Sequence, residues 1–328
     1  MRYRRLGRTG LEVSEIGFGG WSIGGQTPGA TSYGATDDAV SLEALNAALE
    51  SGITFFDTAP VYGYGRSERL IGEALRHRRD RTVVATKAGM HRYDEPADFS
   101  PEAIRQSLAG SLERLGGGCV DLLLLHNPPP ELLASGGRLA QCLKDLVSEG
   151  IVRAVGASAR SPQDALAMLD VDVVDVLEVN LNMLDMWAVD LGLLKAAMEA
   201  DVGIVARTPL CAGFLSGMLE NVSAFAADDH RSRWPAEQVE RWKEGAKRAL
   251  NAAGAAPGPE AVQAALRFCL SWPEVATVIP GIATPAESRQ NAMASDLGAL
   301  SADSLEAVIA AYRNFEAFVP GPQPVAFR

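Results

Sequence analysis

Eight short apolar runs, separated by stretches of helical periodicity, constrain this 328-residue chain more than any other feature. They are IGFG (16–19), ITFF (53–56), TVVAT (82–86), VDLLLL (120–125), IVRAVGA (151–157), VVDVLEV (173–179), GIVA (203–206) and VATVI (275–279). Most are rich in Val, Ile and Leu and apolar throughout rather than alternating, which marks parallel strands buried on both faces. Between them lie amphipathic helices. In SPEAIRQSLAGSLERLGG, Ile104, Leu108, Leu112 and Leu115 recur at helical spacing, Ser100 suits the N-cap, Pro101 the first helical position and Gly116 the stop. The Ser-Pro start returns at Ser161.

Eight strands, each followed by a helix with no low-complexity linker, predict an α/β fold: one (β/α)8 TIM barrel, a single domain over residues 1–328. A doubly wound sheet is the alternative, but it needs a G-x-G-x-x-G loop running straight into a helix. IGFGGWSIGG resembles that only loosely, and the next helix starts near Asp37, too late. Residues 1–15 read as an N-terminal β-hairpin able to close the bottom of the barrel. Residues 210–257 form a long insertion between strands 7 and 8, with an extra helix near Ala236 to Leu250. Long loops after strands are where a barrel carries function.

A net charge of −11 argues against nucleic acid or an anionic membrane as the main partner. The basic cluster RHRRDR, Arg76 to Arg81, reads as a solvated helix end. The four cysteines, Cys119, Cys142, Cys211 and Cys269, form no C-x-x-C pair. No zinc or other metal site and no disulfide framework is expected, and reduced thiols fit a cytoplasmic protein. The first residues lack the apolar core of a signal peptide, and no run approaches the ~20 apolar residues of a membrane span.

Active-site residues of a barrel sit at the C-terminal ends of its strands. Here the strands end, in order from the second, at Asp57, Lys87, His126, Ser158, Glu178, Arg207 with Thr208, and Pro280 with Gly281. Taken singly, Lys87 reads as a solvated strand end and His126 as a core histidine. Together, three consecutive strands ending in Asp, Lys and His place an acid, a cation and a titratable ring around one mouth, the pattern of proton-transfer chemistry. Tyr62, in the loop FDTAPVYGYGRSE, completes the set. A nearby ammonium favours a phenolate, so Lys87 is expected to lower its pKa, Asp57 to hold Lys87 charged, and His126 to donate to a carbonyl oxygen. With no nucleophile–base pair apparent, the developing negative charge is most simply produced by hydride reaching a carbonyl carbon, which requires a nicotinamide.

These residues resemble the aldo-keto reductase family. GITFFDTAPVYGYGRSERLIGEAL, TKAG, DLLLLHNP, GASARSP, ARTPLCAGFLSG and VIPGIATPAESRQN match its motifs in order, over about Arg4 to Leu300. The resemblance implies a barrel and an NADPH-dependent reduction of aldehydes or ketones, or the reverse. It puts the catalytic tetrad on Asp57, Tyr62, Lys87 and His126, with Tyr62 the general acid. Cofactor contacts then fall on Gly20 and Trp21, on Asp57 for the ribose, on Ser158 for the nicotinamide amide, and on Glu178 and Arg207. Thr208, Pro209, Leu210, Cys211 and Gly213 would wrap the pyrophosphate, with Arg231 as a phosphate contact. Gly281, Ala283, Glu287, Gln290 and Asn291 would lie along the adenosine. Substrate contacts fall on Trp21, Tyr62 and His126, with loops 88–100 and 127–133 and the weaker candidate Trp187 around them.

The chain departs from the family in places. Ser158 is followed by Ala159 rather than Asn. Glu178 stands where Gln is usual, and Arg207 where an aromatic ring often stacks on the nicotinamide. Beyond strand eight only Arg289 is cationic, whereas members gripping a 2′-phosphate often carry several basic residues there. NADP(H) is favoured on the family pattern, with NAD(H) the alternative. The competing readings are a nicotinamide-binding sensor or scaffold without turnover, against which the intact tetrad weighs, and an enone C=C reductase, which His126 disfavours. Substrate, direction and oligomeric state are not legible.

Overall fold

A computed structural model of the chain describes residues 1–133, 136–219 and 224–320. It opens with an antiparallel hairpin, β1 (Tyr3–Arg5) and β2 (Glu12–Ser14). Eight parallel strands follow: β3 (Phe18–Gly19), β4 (Phe55–Asp57), β5 (Val83–Ala88), β6 (Val120–His126), β7 (Val152–Ser158), β8 (Val176–Asn180), β9 (Gly203–Arg207) and β10 (Val275–Ile279). They pair in sequence order. The sheet closes on itself where Gly17 N–H donates to Val278 O (2.8 Å) and Gly19 N–H to Pro280 O (2.9 Å), with parallel bridges Ile16–Val278 and Gly19–Gly281. This is the expected (β/α)8 barrel.

The outer layer contains α1 (Asp38–Glu50), α2 (Arg66–Leu75), α3 (Pro101–Leu115), α4 (Arg138–Ser148), α5 (Pro162–Met168), α6 (Trp187–Asp190), α7 (Leu193–Glu199), α8 (Ala236–Ala253), α9 (Pro259–Leu270), α10 (Pro285–Leu297) and α11 (Ala302–Arg313). The caps read from sequence are in place. Ser100 accepts from Ala103 N–H, Ser161 from Asp164 N–H and Asp37 from Val40 N–H, and Gly116 ends α3 at φ 69°, the left-handed conformation glycine adopts without strain. The insertion helix α8 runs to Ala253, three residues past the expected Leu250. Residues 220–223 of that insertion lie outside the described residues. Helix α11, which the strand–helix alternation did not call for, packs against α8.

The hairpin plugs the N-terminal end of the barrel. Leu6, Leu11 and Val13 join an inner cluster with Phe55, Val83, Ala85, Leu122, Leu124, Ala154, Val176, Val205, Ala276 and Ile279. Arg4 secures the plug: its guanidinium donates to Glu15, to Val275 O (2.7 Å), to Leu270 O and to Trp272 O. Side chains alternate faces along a strand. Phe55, Val83, Leu124, Val176 and Val205 therefore fix which residues point inward at the top. Two residues on from a filler in each strand come Asp57, Lys87 (after Ala85), His126, Glu178 and Arg207. The barrel filling stops and the charged layer starts on one continuous inward face. Among the described residues no helix is long and apolar enough to cross a membrane.

Candidate active site

Parallel pairing holds this layer level. Asp57 lies opposite Ala85, two residues before Lys87, while Lys87 lies opposite Leu124, two before His126. His126 in turn faces Ser158, and Ser158 faces Glu178. Lys87 is the centre of the layer. Its Nζ donates to Asp57 Oδ2 at 2.5 Å and to Thr58 O at 3.3 Å, and lies 3.1 Å from Glu178 Oε2. All three charged residues are buried, with 2%, 1% and 2% of Asp57, Lys87 and Glu178 exposed. Glu178 Oε1 accepts the Ser158 hydroxyl at 3.1 Å.

Tyr62 reaches back over these strand ends. Its loop packs tightly: a Cβ on Gly63 would lie 1.9 Å from Gly24 O, so only glycine fits, at φ 63°. The half-buried Tyr62 ring lies 5.3 Å from Lys87 Nζ and meets the His126 ring edge-on, centroids 6.1 Å apart. The four residues singled out from strand ends and loop are thus brought together at one mouth.

The electrostatics depart from the sequence expectation in one respect. Lys87 does pull the Tyr62 hydroxyl toward ionisation, but burial opposes it and dominates, so the pKa rises above the ordinary tyrosine value instead of falling. The phenol is neutral at physiological pH. Burial, then the Lys87 charge, push His126 down to about 3, so its imidazole is neutral too. Its Nδ1 is buried without a partner. Burial and the nearby Glu178 charge lift Asp57 up to about 8 against the pull of Lys87. Glu178 feels the same burial, but Lys87 and Arg207 outweigh it and hold its carboxyl below the usual range.

The remaining predicted positions lie after β3, at the end of β7, from the end of β9 through the turn and insertion that follow, and from the end of β10 into α10. Arg207 is anchored by Nη2 donating to Ala159 O (3.0 Å), and its Nε is buried without a partner. Thr208, Cys211 and Ala212 adopt positive φ of 55°, 46° and 51°, and Gly213 follows at 95°. Non-glycine residues hold that conformation only when over-determined by their surroundings. Here Asn182 Nδ2 donates to Thr208 O and the Thr208 hydroxyl can reach Asn180 Oδ1. The turn is closed by its own backbone, Cys211 N–H donating to Thr208 O and Gly213 N–H to Leu210 O, both at 2.9 Å. Gly281 lies beside Ser22, whose Oγ would be 2.2 Å from a Cβ there, and a Cβ on Gly20 would lie only 2.6 Å from Asp57 O. Pro209 and Leu210 (φ −97°) lie between these left-handed residues. Asn291 is buried on α10, with Gln290 half-buried beside it.

Arg231 is not a free cation. Its guanidinium pairs with Asp229 (Nη2–Oδ2 2.6 Å) and donates through Nη1 to Ala212 O at 3.1 Å. It locks the insertion onto this turn. Glu287 closes a capping box at the start of α10, Oε2 accepting from Ala283 N–H (2.8 Å) and Thr284 N–H (3.0 Å).

Sequence reasoning missed the clasp over the mouth. The loop after β3 and the insertion meet through the bridge Ser32–Asp229, His230 N–H to Ser32 O (2.8 Å) and Arg233 to Gly29 O. Trp21, Tyr33 and Trp234 surround the His230 ring, with centroids 4.7, 4.8 and 5.0 Å away. Part of the signal was present in the insertion stretch DDHRSRW, with His230 four residues before Trp234, but nothing in it names Tyr33 as a neighbour. Among the described residues no group of His, Cys, Asp or Glu is arranged to hold a metal.

The profile of the Aldo/keto reductase family matches residues 15–313. Aldo-keto reductase YhdN of Bacillus subtilis (strain 168) is 32% identical over 248 residues, 74% of this chain and 72% of that protein. L-galactose dehydrogenase of Arabidopsis thaliana is 30% identical over 332 residues, 95% of each. Among solved structures, aldo-keto reductase AKR11C1 from Bacillus halodurans (holo form) superposes with a TM-score of 0.76 at 24% identity, covering 97% of this chain and 98% of that one. The chain belongs to the aldo/keto reductase family, whose members are nicotinamide-dependent oxidoreductases.

Proposed function

We propose that this chain interconverts an aldehyde or ketone and the corresponding alcohol, with Tyr62 as the proton donor. The observation that carries the reading is Lys87, held by Asp57 at 2.5 Å, beneath a neutral Tyr62 phenol that meets a neutral His126 edge-on. The turn Thr208–Gly213, left-handed at Thr208, Cys211, Ala212 and Gly213, is the segment we assign to a pyrophosphate, and the segments holding Gly20 and Gly281 are those we assign to the rest of the dinucleotide. When bound, the nicotinamide supplies the hydride.

The residues do the rest. His126, neutral and with one ring N–H, donates to the carbonyl oxygen and orients it. Tyr62 gives its phenolic proton to that oxygen as negative charge develops there. Lys87 stabilises the phenolate left behind, and Asp57 keeps Lys87 in place. In the oxidative direction the phenolate takes the alcohol proton. Trp21 and the Tyr93 loop border the mouth on the substrate side. Ser158 and Arg207 are assigned to the nicotinamide, and Gly281, Ala283, Gln290 and Asn291 to the adenosine. The four free thiols fit a cytoplasmic setting.

Family members tend toward NADP(H), yet Glu287 weighs toward NAD(H). Its carboxylate already takes the two N–H groups at the start of α10, beside the segment assigned to the adenosine. A 2′-phosphate there would meet like charge.

The test is a binding titration with NADPH and NADH, then turnover on an aldehyde and ketone panel with the tighter cofactor. Tyr62→Phe is expected to lower kcat by about 10²–10⁴-fold with cofactor binding retained. Unchanged turnover in that variant, or none in the wild type, defeats the reading.

A further inference from the structure

Glu178 has an unusual neighbourhood for a residue with no step of its own. Lys87 carries one positive charge and lies between two buried carboxylates, Asp57 at 2.5 Å and Glu178 at 3.1 Å. The Glu178 contact is an ion pair without hydrogen-bond geometry, so Oε2 stays buried with no hydrogen-bond partner, while Oε1 takes the Ser158 hydroxyl. The two carboxyl groups meet on the same ammonium, and the Glu178 charge raises the proton affinity of Asp57. Two carboxylates this close and this dry do not both ionise readily, and a single proton held between them satisfies the orphaned oxygen. Glu15, Glu68 and Asp121, also buried, each pair with arginine instead: Arg4, Arg114, and Arg79 with Arg153.

We propose that Asp57 and Glu178 share one proton above Lys87, which makes Glu178 a positioning residue that keeps the charge around Tyr62 constant through neutral pH. The groups facing the pair are Lys87 from β5, His126 from β6, Ser158 from β7, Arg207 from β9 and Tyr62 from the loop after β4. His126 is neutral and Arg207 offsets part of the negative charge. At pH 7 the pair as a whole holds one proton, with burial and the Glu178 charge pushing the Asp57 carboxyl up. When that proton leaves, the cluster gains one negative charge, Tyr62 becomes harder to deprotonate and reduction slows. The role in catalysis rests on the Tyr62 reading above, but the shared proton does not.

Infrared difference spectra of the apoprotein across pH 6–10 read the proton directly, through the C=O stretch of a protonated carboxyl. The expected result is a band in the wild type that disappears around pH 8 and is absent from Glu178→Gln and from Asp57→Asn. A wild type without that band, or a folded variant that keeps it, overturns the proposal. Should a variant not fold, the wild-type titration decides alone. In the kinetic arm, wild-type kcat for reduction falls about tenfold per pH unit above the same pH. Glu178→Gln loses this break because Asp57 alone beside Lys87 stays ionised, and Glu178→Asp restores it. A band that titrates in an enzyme with no carbonyl turnover rejects the Tyr62 reading and leaves the shared proton standing. A band with an unmoved kinetic profile rejects the positioning role.

Discussion

Lys87 Nζ lies 2.5 Å from Asp57 Oδ2, the two residues standing on adjacent strands one inward position above the apolar filling of the barrel. The ammonium is dehydrated, and three oxygens replace its water: those of Asp57, Thr58 and Glu178. Their charges raise its pKa above the ordinary lysine value despite burial, so Lys87 stays charged at every working pH.

Replacing Lys87 by Met leaves two buried carboxylates without their cation. Breaking a buried pair in this way costs about 3–5 kcal/mol. Urea unfolding of Lys87→Met is expected to show a loss of that size. Adding Glu178→Gln removes the negative charge the pair still carries and should regain part of the stability while activity stays lost. A single variant as stable as the wild type contradicts the burial argument.

His126 acts as a neutral donor in this arrangement. Its pKa, pushed to about 3 by burial and then by Lys87, lies far below the ordinary value of about 6.5. The pH profile of kcat/KM is therefore expected to show no histidine break between pH 5.5 and 7.5. His126→Gln, which keeps an N–H donor, should lower the rate without changing the shape of the acid side. A wild-type break near pH 6.5 that vanishes in the variant would make the imidazolium the acid instead of Tyr62.

Much of this site was legible because strand periodicity and barrel geometry are local rules. Apolar runs ending in Asp57, Lys87 and His126 announce both the barrel and its mouth, and the caps at Ser100 and Ser161 are written in Ser-Pro pairs. The sign of the Tyr62 shift was not legible, since it depends on whether burial outweighs one ammonium, and burial is a property of the folded mouth. Nor was the contact between Lys87 and Glu178: β5 and β8 have two strands between them, and only the curvature of the closed barrel brings their side chains together. Arg231 looked free in sequence because Asp229, two residues away, reads equally well as a turn residue. The clasp between Ser32 and Asp229 joins segments from opposite ends of the barrel order and has no local signature.

Glu287 makes cofactor choice a charge question. Its carboxylate caps α10, accepting from Ala283 and Thr284 N–H groups. Glu287→Ser keeps a short polar side chain and removes the negative charge. The expected outcome is NADPH binding that improves about tenfold relative to NADH, the effect of removing one like charge from a phosphate. A fluorescence titration of both cofactors measures the ratio. An unchanged ratio would remove Glu287 from the cofactor site.

The clasp should loosen in acid. His230 is buried among Trp21, Tyr33 and Trp234, and its Nε2 has no partner. Burial, against the partial support of Asp229 and with Arg231 and Arg233 opposing protonation, takes its pKa down to about 4. An opened clasp returns the imidazole to water and to about 6.5. Above pH 6.5 both forms are neutral and closure is at full strength. As pH falls from 6.5 toward 4 the open form takes up a proton that the closed form does not, so closure weakens, by up to about 3 kcal/mol. Tryptophan emission from Trp21 and Trp234 is expected to change over that window in the wild type. His230→Phe keeps an aromatic ring in the stack and cannot titrate, so its emission should stay flat over the same range. Matching pH curves for the two proteins would show that His230 has no part in the loosening.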